Sequence, residues 1–253
     1  MTYATNQGTR IHYRVEGSGP PLVLQHGFFW SLAGWERWGY VDALKSHFQL
    51  VLIDARGHGG SDKPYDPAAY SLSHHATDIV AVLDSLDIPS AHYWGFSMGG
   101  WIGFWFATFA TERLRALVIG GAHPYGRKLP ATNRPDGSDP ELFLETFFRR
   151  QGLERGMMEP AKVEEFVNND FRALAATQQD RPSLEETLSR ITKPVFLYVG
   201  EDDGAFPEVT RCAAQLPDAS LVSLPGLNHP ETFYRADLVL PHVMPFLKIQ
   251  PDQ

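Results

Sequence analysis

Short, unbroken apolar runs recur along the chain, and most are followed by a segment with helical spacing. LVLQ (22–25), LVLID (50–54), AHYWGF (91–96), LRALVIGGA (114–122), PVFLYVG (194–200) and ASLVSL (219–224) are the runs. A strand with one wet face alternates apolar and polar residues. A strand buried on both faces reads as a continuous Val/Ile/Leu run. Such runs separated by helices point to an α/β fold, with a mostly parallel central sheet flanked by helices. Residues 10–16 do alternate, and read as a strand closed by the turn GSGPP (17–21). Residues 34–47, 72–88, the stretch opening at MGGW, the segment around Cys212 and residues 236–249 supply helices. In 72–88, Leu72, Ile79, Val82, Leu83 and Leu86 fall along one side.

One region breaks the alternation. Residues 123–190 hold helical patterns, among them ELFLETFFRRQ, AKVEEFVNNDFRALA and LEETLSRI, with no strand between them. We read this region as a helical cap inserted into a core made of residues 1–122 and 191–253. Its entry, HPYGRKLPATNRPDGSDP, has the Pro, Gly and polar content of a domain-crossing linker. The chain of 253 residues suits one domain with such an insertion. A net charge of -8 with no lysine/arginine run argues against nucleic acid as a partner. No stretch approaches the 18 or so clean apolar residues of a membrane span, and the N-terminus has no apolar signal segment, so the expectation is a cytoplasmic protein. The single cysteine, Cys212, excludes an internal disulfide and a Cys-based metal site, and reads as a helix-packing residue. No motif implies a nucleotide or other cofactor, and none sets an oligomeric state.

The stretch WGFSMGGW (94–101) places Gly95-x-Ser97-x-Gly99 between a strand and a helix. A glycine-laced corner can be mere packing. At a strand–helix junction, however, a sharp turn strains the serine and brings backbones so close that a Cβ would clash. That turn presents a hydroxyl above a helix N-terminus, whose free N–H groups face developing negative charge. The reading is a nucleophile. A serine nucleophile needs a base, and the base needs an orienting group. GEDDGAFP (200–207) and GLNHPE (226–231) each follow a core strand, at the strand end where such sheets meet ligands. They offer His229 as base and Asp203 as orienting carboxylate, with its neighbour Asp202 the second choice.

Together these stretches resemble the α/β-hydrolase superfamily, in its branch of small capped serine hydrolases. LVLQHGFFW resembles that family's oxyanion strand and loop, DARGHGGSDKP its loop after the next strand, and GFSMGG its elbow. The resemblance spans nearly the whole chain. It implies Ser97 as nucleophile, His229 as general base and Asp203 as the acid, by the family spacing Gly, two residues, Asp, three residues, Pro. It implies an oxyanion hole from the backbone N–H groups of Phe28 and Met98, and no cofactor. Some members carry the acid after the preceding strand, but IGGAHPYG has no carboxylate there. Asn228 stands where the family often has glycine.

Other motifs have plainer readings. His26 and His58 read as structural hydrogen-bonders, and Asp54 and Arg56 as braces of their loop. His74, His75 and Asp78 form an acyltransferase-like string that reads as a solvated helix face. Aromatic residues cluster near the elbow. Most read as core, while Phe28, Phe29, Trp30, Trp101, His123 and the cap residues Phe143 and Phe147 are pocket candidates. Phe148, Phe166 and Phe171 are further cap phenylalanines of that kind. Such a pocket suits a small apolar ester or lactone. The expected activity is therefore a serine hydrolase cleaving carboxylic esters or lactones with an apolar acyl or aryl group. The alternatives are a diketone C–C hydrolase or a cofactor-free haloperoxidase or perhydrolase using the same residues, and a non-enzymatic ligand receptor. A dehalogenase or epoxide hydrolase would need aspartate at position 97. The elbow GFSMGG also departs from that expected of a proline iminopeptidase.

Overall fold

A computed structural model describes residues 1–130, 134–150, 166 and 168–249. Its eight strands form one sheet in the order β1-β2-β4-β3-β5-β6-β7-β8. They are β1 (Thr2–Asn6), β2 (Thr9–Glu16), β3 (Pro21–Gln25), β4 (Gln49–Ile53), β5 (Ala91–Phe96), β6 (Leu114–Gly120), β7 (Val195–Gly200) and β8 (Ala219–Leu224). β2 runs antiparallel to both β1 and β4, and every other pairing is parallel. The apolar runs form the interior strands: β5 and β7 are buried at every position, and β3 and β4 at all but the first. β8 lies at the edge and is mostly half-exposed.

β1 escapes the sequence reading. It is short, and its link to β2 is the two-residue turn Gln7-Gly8, both with positive φ (49° and 81°). That is the geometry of a tight hairpin, but Gln-Gly is not one of the strong hairpin dipeptides. The expected helix over 34–47 forms as two short helices, α1 (Ala33–Arg37) and α2 (Tyr40–Leu44), separated at Gly39, which has φ 82°. Helix α3 (Leu72–Ser85) is capped by the Ser71 side chain. Helix α4 (Met98–Phe109) follows the elbow.

Between β6 and β7, the described residues contribute no strand to the sheet. They form α5 (Pro140–Arg150), α6 (Phe171–Thr177) and a 3-10 helix over Glu185–Arg190. In the pattern AKVEEFVNNDFRALA (161–175), residues 161–165 and 167 lie outside the described residues, and its end is the start of α6. After β7 come α7 (Phe206–Gln215), α8 (His229–Tyr234) and α9 (Ala236–Ile249).

The two sheet faces carry separate cores. On one, Ile79, Val82 and Leu83 of α3 pack with Ile102, Phe104 and Phe106 of α4 and with Val209 and Cys212 of α7. On the other, Trp35, Tyr40 and Leu44 pack with Phe233, Val239, Val243 and Leu247. Cys212 is wholly buried, and burial pushes its thiol up to about 12, so it packs as an apolar residue. A third cluster joins Phe29 to Phe143, Phe148, Phe166 and Phe171. It fastens the helices between β6 and β7 onto the loop after β3. Among the described residues, no helix is long and apolar enough to cross a membrane.

Candidate active site

The chain reverses its direction of sheet building between β3 and β5, and the loops leaving those strands flank the site. Ser97 follows β5 directly, with φ 53° and ψ -112°, values that L-residues rarely adopt. The two glycines explain how the corner fits. A Cβ on Gly95 would lie 2.2 Å from the Gly99 carbonyl oxygen, and one on Gly99 would lie 2.2 Å from the Gln25 carbonyl oxygen. The elbow is thus pressed against the end of β3. The Ser97 N–H donates to the Gly120 carbonyl at 2.8 Å, which ties it to β6 as well.

His229 opens α8 and reaches both partners at once. Its Nε2 lies 2.8 Å from Ser97 Oγ, and its Nδ1 lies 2.6 Å from Asp203 Oδ2. The other oxygen of Asp203 accepts the Ala205 N–H at 2.9 Å, so the carboxylate is held from both sides. Asp203 is buried, whereas Asp202 is exposed and its side chain does not meet His229. Asn228 finds a use here that its sequence context did not announce. Its side chain accepts the Glu231 N–H and the Glu231 carboxylate accepts the Asn228 N–H, a capping box that fixes the start of α8 and so the position of His229.

The loop after β3 brings Phe28 beside the elbow. An added Cβ on Gly27 would sit 3.5 Å from the Ser97 Cβ. Among the described residues, neither the Phe28 nor the Met98 N–H has a hydrogen-bond partner, and both residues line the same cavity as Ser97. Phe29, next along, takes φ 66°, an uncommon conformation for a bulky side chain. It is stabilised by rings on several sides: Phe147 at 4.6 Å, Phe166 at 4.9 Å and Phe143 at 6.1 Å between centroids.

The loop after β4 supports that platform. Asp54 accepts the N–H groups of Leu32 and Gly60 and meets His12 Nδ1 at 2.7 Å. The Ala55 N–H donates to His26 Nε2, and His26 Nδ1 lies against the Gly27 carbonyl. The bracing roles expected for His26, Asp54 and Arg56 are therefore present as contacts. The helix-face reading of His74, His75 and Asp78 is wrong for two of the three. His75 and Asp78 are buried, and Asp78 forms a two-point ion pair with Arg56 at 2.6 and 2.7 Å. The sequence hid this because Arg56 lies on a distant loop.

A cavity of about 720 Å³ opens above Ser97. Of the pocket candidates, Phe28, Phe29, Trp30, Trp101, His123 and Phe147 line it. Burial lowers the pKa of His123, which stacks on Tyr125 at 5.5 Å between centroids. Phe143 does not line the cavity: it is wholly buried behind Phe29 and against Phe171. Phe148 and Phe171 likewise pack behind the lining, while Phe166 reaches it. The expectation of an apolar pocket holds for the aromatic side only. Arg127, Arg150 and Arg181 also line the cavity, and the sequence reading missed them. Among the described residues, no group of three or more His, Cys, Asp or Glu side chains is placed to hold a metal ion.

A mostly parallel sheet with a strained serine elbow and a histidine at the strand ends defines an α/β hydrolase. The chain belongs to the alpha/beta hydrolase fold family, whose model matches residues 20–162. It is 28% identical over 283 aligned residues to a bifunctional esterase/perhydrolase of Acinetobacter calcoaceticus, covering 98% of this chain and 100% of the relative. It is 26% identical to a non-heme chloroperoxidase of Streptomyces lividans, covering 98% and 99%. Among solved structures, the enol-lactonase of Burkholderia xenovorans LB400 superposes with a TM-score of 0.85 at 25% identity, over 98% and 100% of the two chains. These relatives support hydrolase activity for the chain.

Proposed function

We propose that the protein is a serine hydrolase of carboxylic esters or lactones, with residues 123–190 acting as a cap over its cavity. The observation that carries the reading is the unbroken hydrogen-bonded chain from Asp203 through His229 to Ser97. Ser97 Oγ attacks the carbonyl carbon while His229 Nε2 takes its proton. Asp203 holds the Nδ1–H tautomer and stabilises the imidazolium. The Phe28 and Met98 N–H groups receive the developing oxyanion. His229 then returns the proton to the leaving group, and a water activated by the same nitrogen releases the acid. A second reading keeps this machinery and changes the acceptor: one relative is named an esterase/perhydrolase, so hydrogen peroxide in place of water at the second step would give a peracid.

The test is a p-nitrophenyl ester series with wild type and Ser97→Ala. The expected result is burst release of p-nitrophenol, an acyl adduct on Ser97 by mass spectrometry, and loss of both in the variant. Turnover that survives Ser97→Ala would overturn the nucleophile. A wild type inert to every ester and lactone, yet active on a diketone, would overturn the ester reading.

A further inference from the structure

Arg127 and Arg181 are direct partners across a short antiparallel bridge, each donating its N–H to the other's carbonyl at 2.8 Å. Residues paired this way have Cβ atoms about 5 Å apart, and like charges placed so are destabilising. Other arginines nearby are compensated: Arg134 is paired with Asp180, and Arg211 with Glu185. Among the described residues, neither Arg127 nor Arg181 meets a carboxylate.

Arg181 is instead laid over the Trp101 ring, with its guanidinium carbon 4.3 Å from the centroid. Burial, then the charges of Arg127 and Arg150, push Arg181 down to about 9, which leaves it cationic at neutral pH. Burial also lowers Arg150. Arg150 is oriented by its bond to Gln178 at 2.8 Å. Among the described residues, the acidic side chains lining the same cavity are Asp203, engaged by His229, and the exposed Asp202. Arg127 and Arg181 thus share one cavity with no matching acid among the described residues, and a bound anion would neutralise them.

We propose that Arg127 and Arg181 form an anion-binding subsite, and that the substrates are esters or lactones bearing a carboxylate or phosphate-type group apart from the reacting carbonyl. The assignment rests on the hydrolase reading of Ser97. Guanidinium forks match carboxylate and phosphate oxygens two at a time, and a cavity of about 720 Å³ has room for both the anion and the acyl group. The aromatic lining would take the apolar part of the same molecule.

The experiment compares kcat/KM for mono-p-nitrophenyl adipate, its phosphonate-tailed counterpart and a neutral p-nitrophenyl ester of equal length. In the wild type, at least one anionic ester is favoured tenfold or more, with the gain chiefly in KM. Which of the two is favoured identifies the source of the anion. Arg181→Gln and Arg127→Gln each lower that preference at least tenfold, and Arg→Lys at either position restores part of it. Arg127 stands at the exposed rim, so its variant reports on the subsite even where Arg181→Gln fails to fold. A wild-type preference at or below one, with the neutral ester turned over, would overturn the anion subsite and leave the hydrolase reading standing. If no ester is turned over, titration calorimetry with adipate and the phosphonate decides. Binding that Arg127→Gln weakens tenfold supports the subsite, and absence of binding to wild type overturns it.

Discussion

The two sides of the cavity treat charge in opposite ways. On the side built from the loops after β3 and β4, each buried charge has a partner. Asp54 accepts from two backbone N–H groups and meets His12, and Arg56 and Asp78 meet at two points. On the side built from residues between β6 and β7, Arg127 and Arg181 stand across a backbone bridge with no carboxylate among the described residues. The first arrangement holds a platform still, because a satisfied buried network is costly to rearrange. The second is a standing repulsion, which a rigid scaffold can tolerate and an incoming anion can relieve. Paired charge thus braces one side of the cavity, and the proposed anion subsite lies on the other.

The largest effect that would break this division is on the chemistry. Ser97→Ala and Asp203→Asn should each lower kcat by about 10⁴-fold or more, while Asp202→Asn lowers it by less than about tenfold. Steady-state ester hydrolysis on purified variants reads all three, and equal losses at Asp202 and Asp203 would contradict the assigned acid. On the platform, Asp78→Ala leaves Arg56 buried without its carboxylate. The expected cost is about 3–5 kcal/mol by urea denaturation. A cost below about 1 kcal/mol would show that the pair is not what holds the loop.

The same side should respond to acid. Burial lowers His26, His58 and His75 from the ordinary value of 6.5, His58 to about 3. With the folded value below the unfolded one, the unfolded chain binds protons that the native state refuses. Their contribution is therefore full above about pH 6.5 and is lost as pH falls towards 3. Each histidine can add a slope of up to about 1.4 kcal/mol per pH unit. Urea midpoints between pH 7 and pH 4 check this, and His58→Gln should flatten the curve.

The smallest effect sharpens the contrast most. Arg127→Gln removes one of two opposed cations, so it should stabilise the protein by about 0.2–1 kcal/mol. The gain should shrink as salt screens the repulsion. A thermal melt at low and high ionic strength reads both, and a destabilised variant would mean that Arg127 has a structural partner.

Much of this molecule was legible in its sequence because the information is local. The β3 to β7 strands declare themselves as apolar runs, since a strand buried on both faces has no use for polar residues. The elbow glycines declare Ser97, because the close approach of Gly99 to the Gln25 carbonyl leaves no space for a side chain. Asp203 and His229 follow from their places at strand ends. β1 was missed because its turn lacks a strong dipeptide signal. Phe143 was misplaced because spacing shows that a helix has an apolar face, but not what that face meets.

What the linear code settled by itself was the order of strands and helices and the residues offered at the strand ends. Tertiary structure alone decided which charges find partners. Arg56 meets Asp78 across 22 positions, and Arg127 stands opposite Arg181 across 54. Pairing energies depend on distance in space, and composition along the chain carries no measure of that distance.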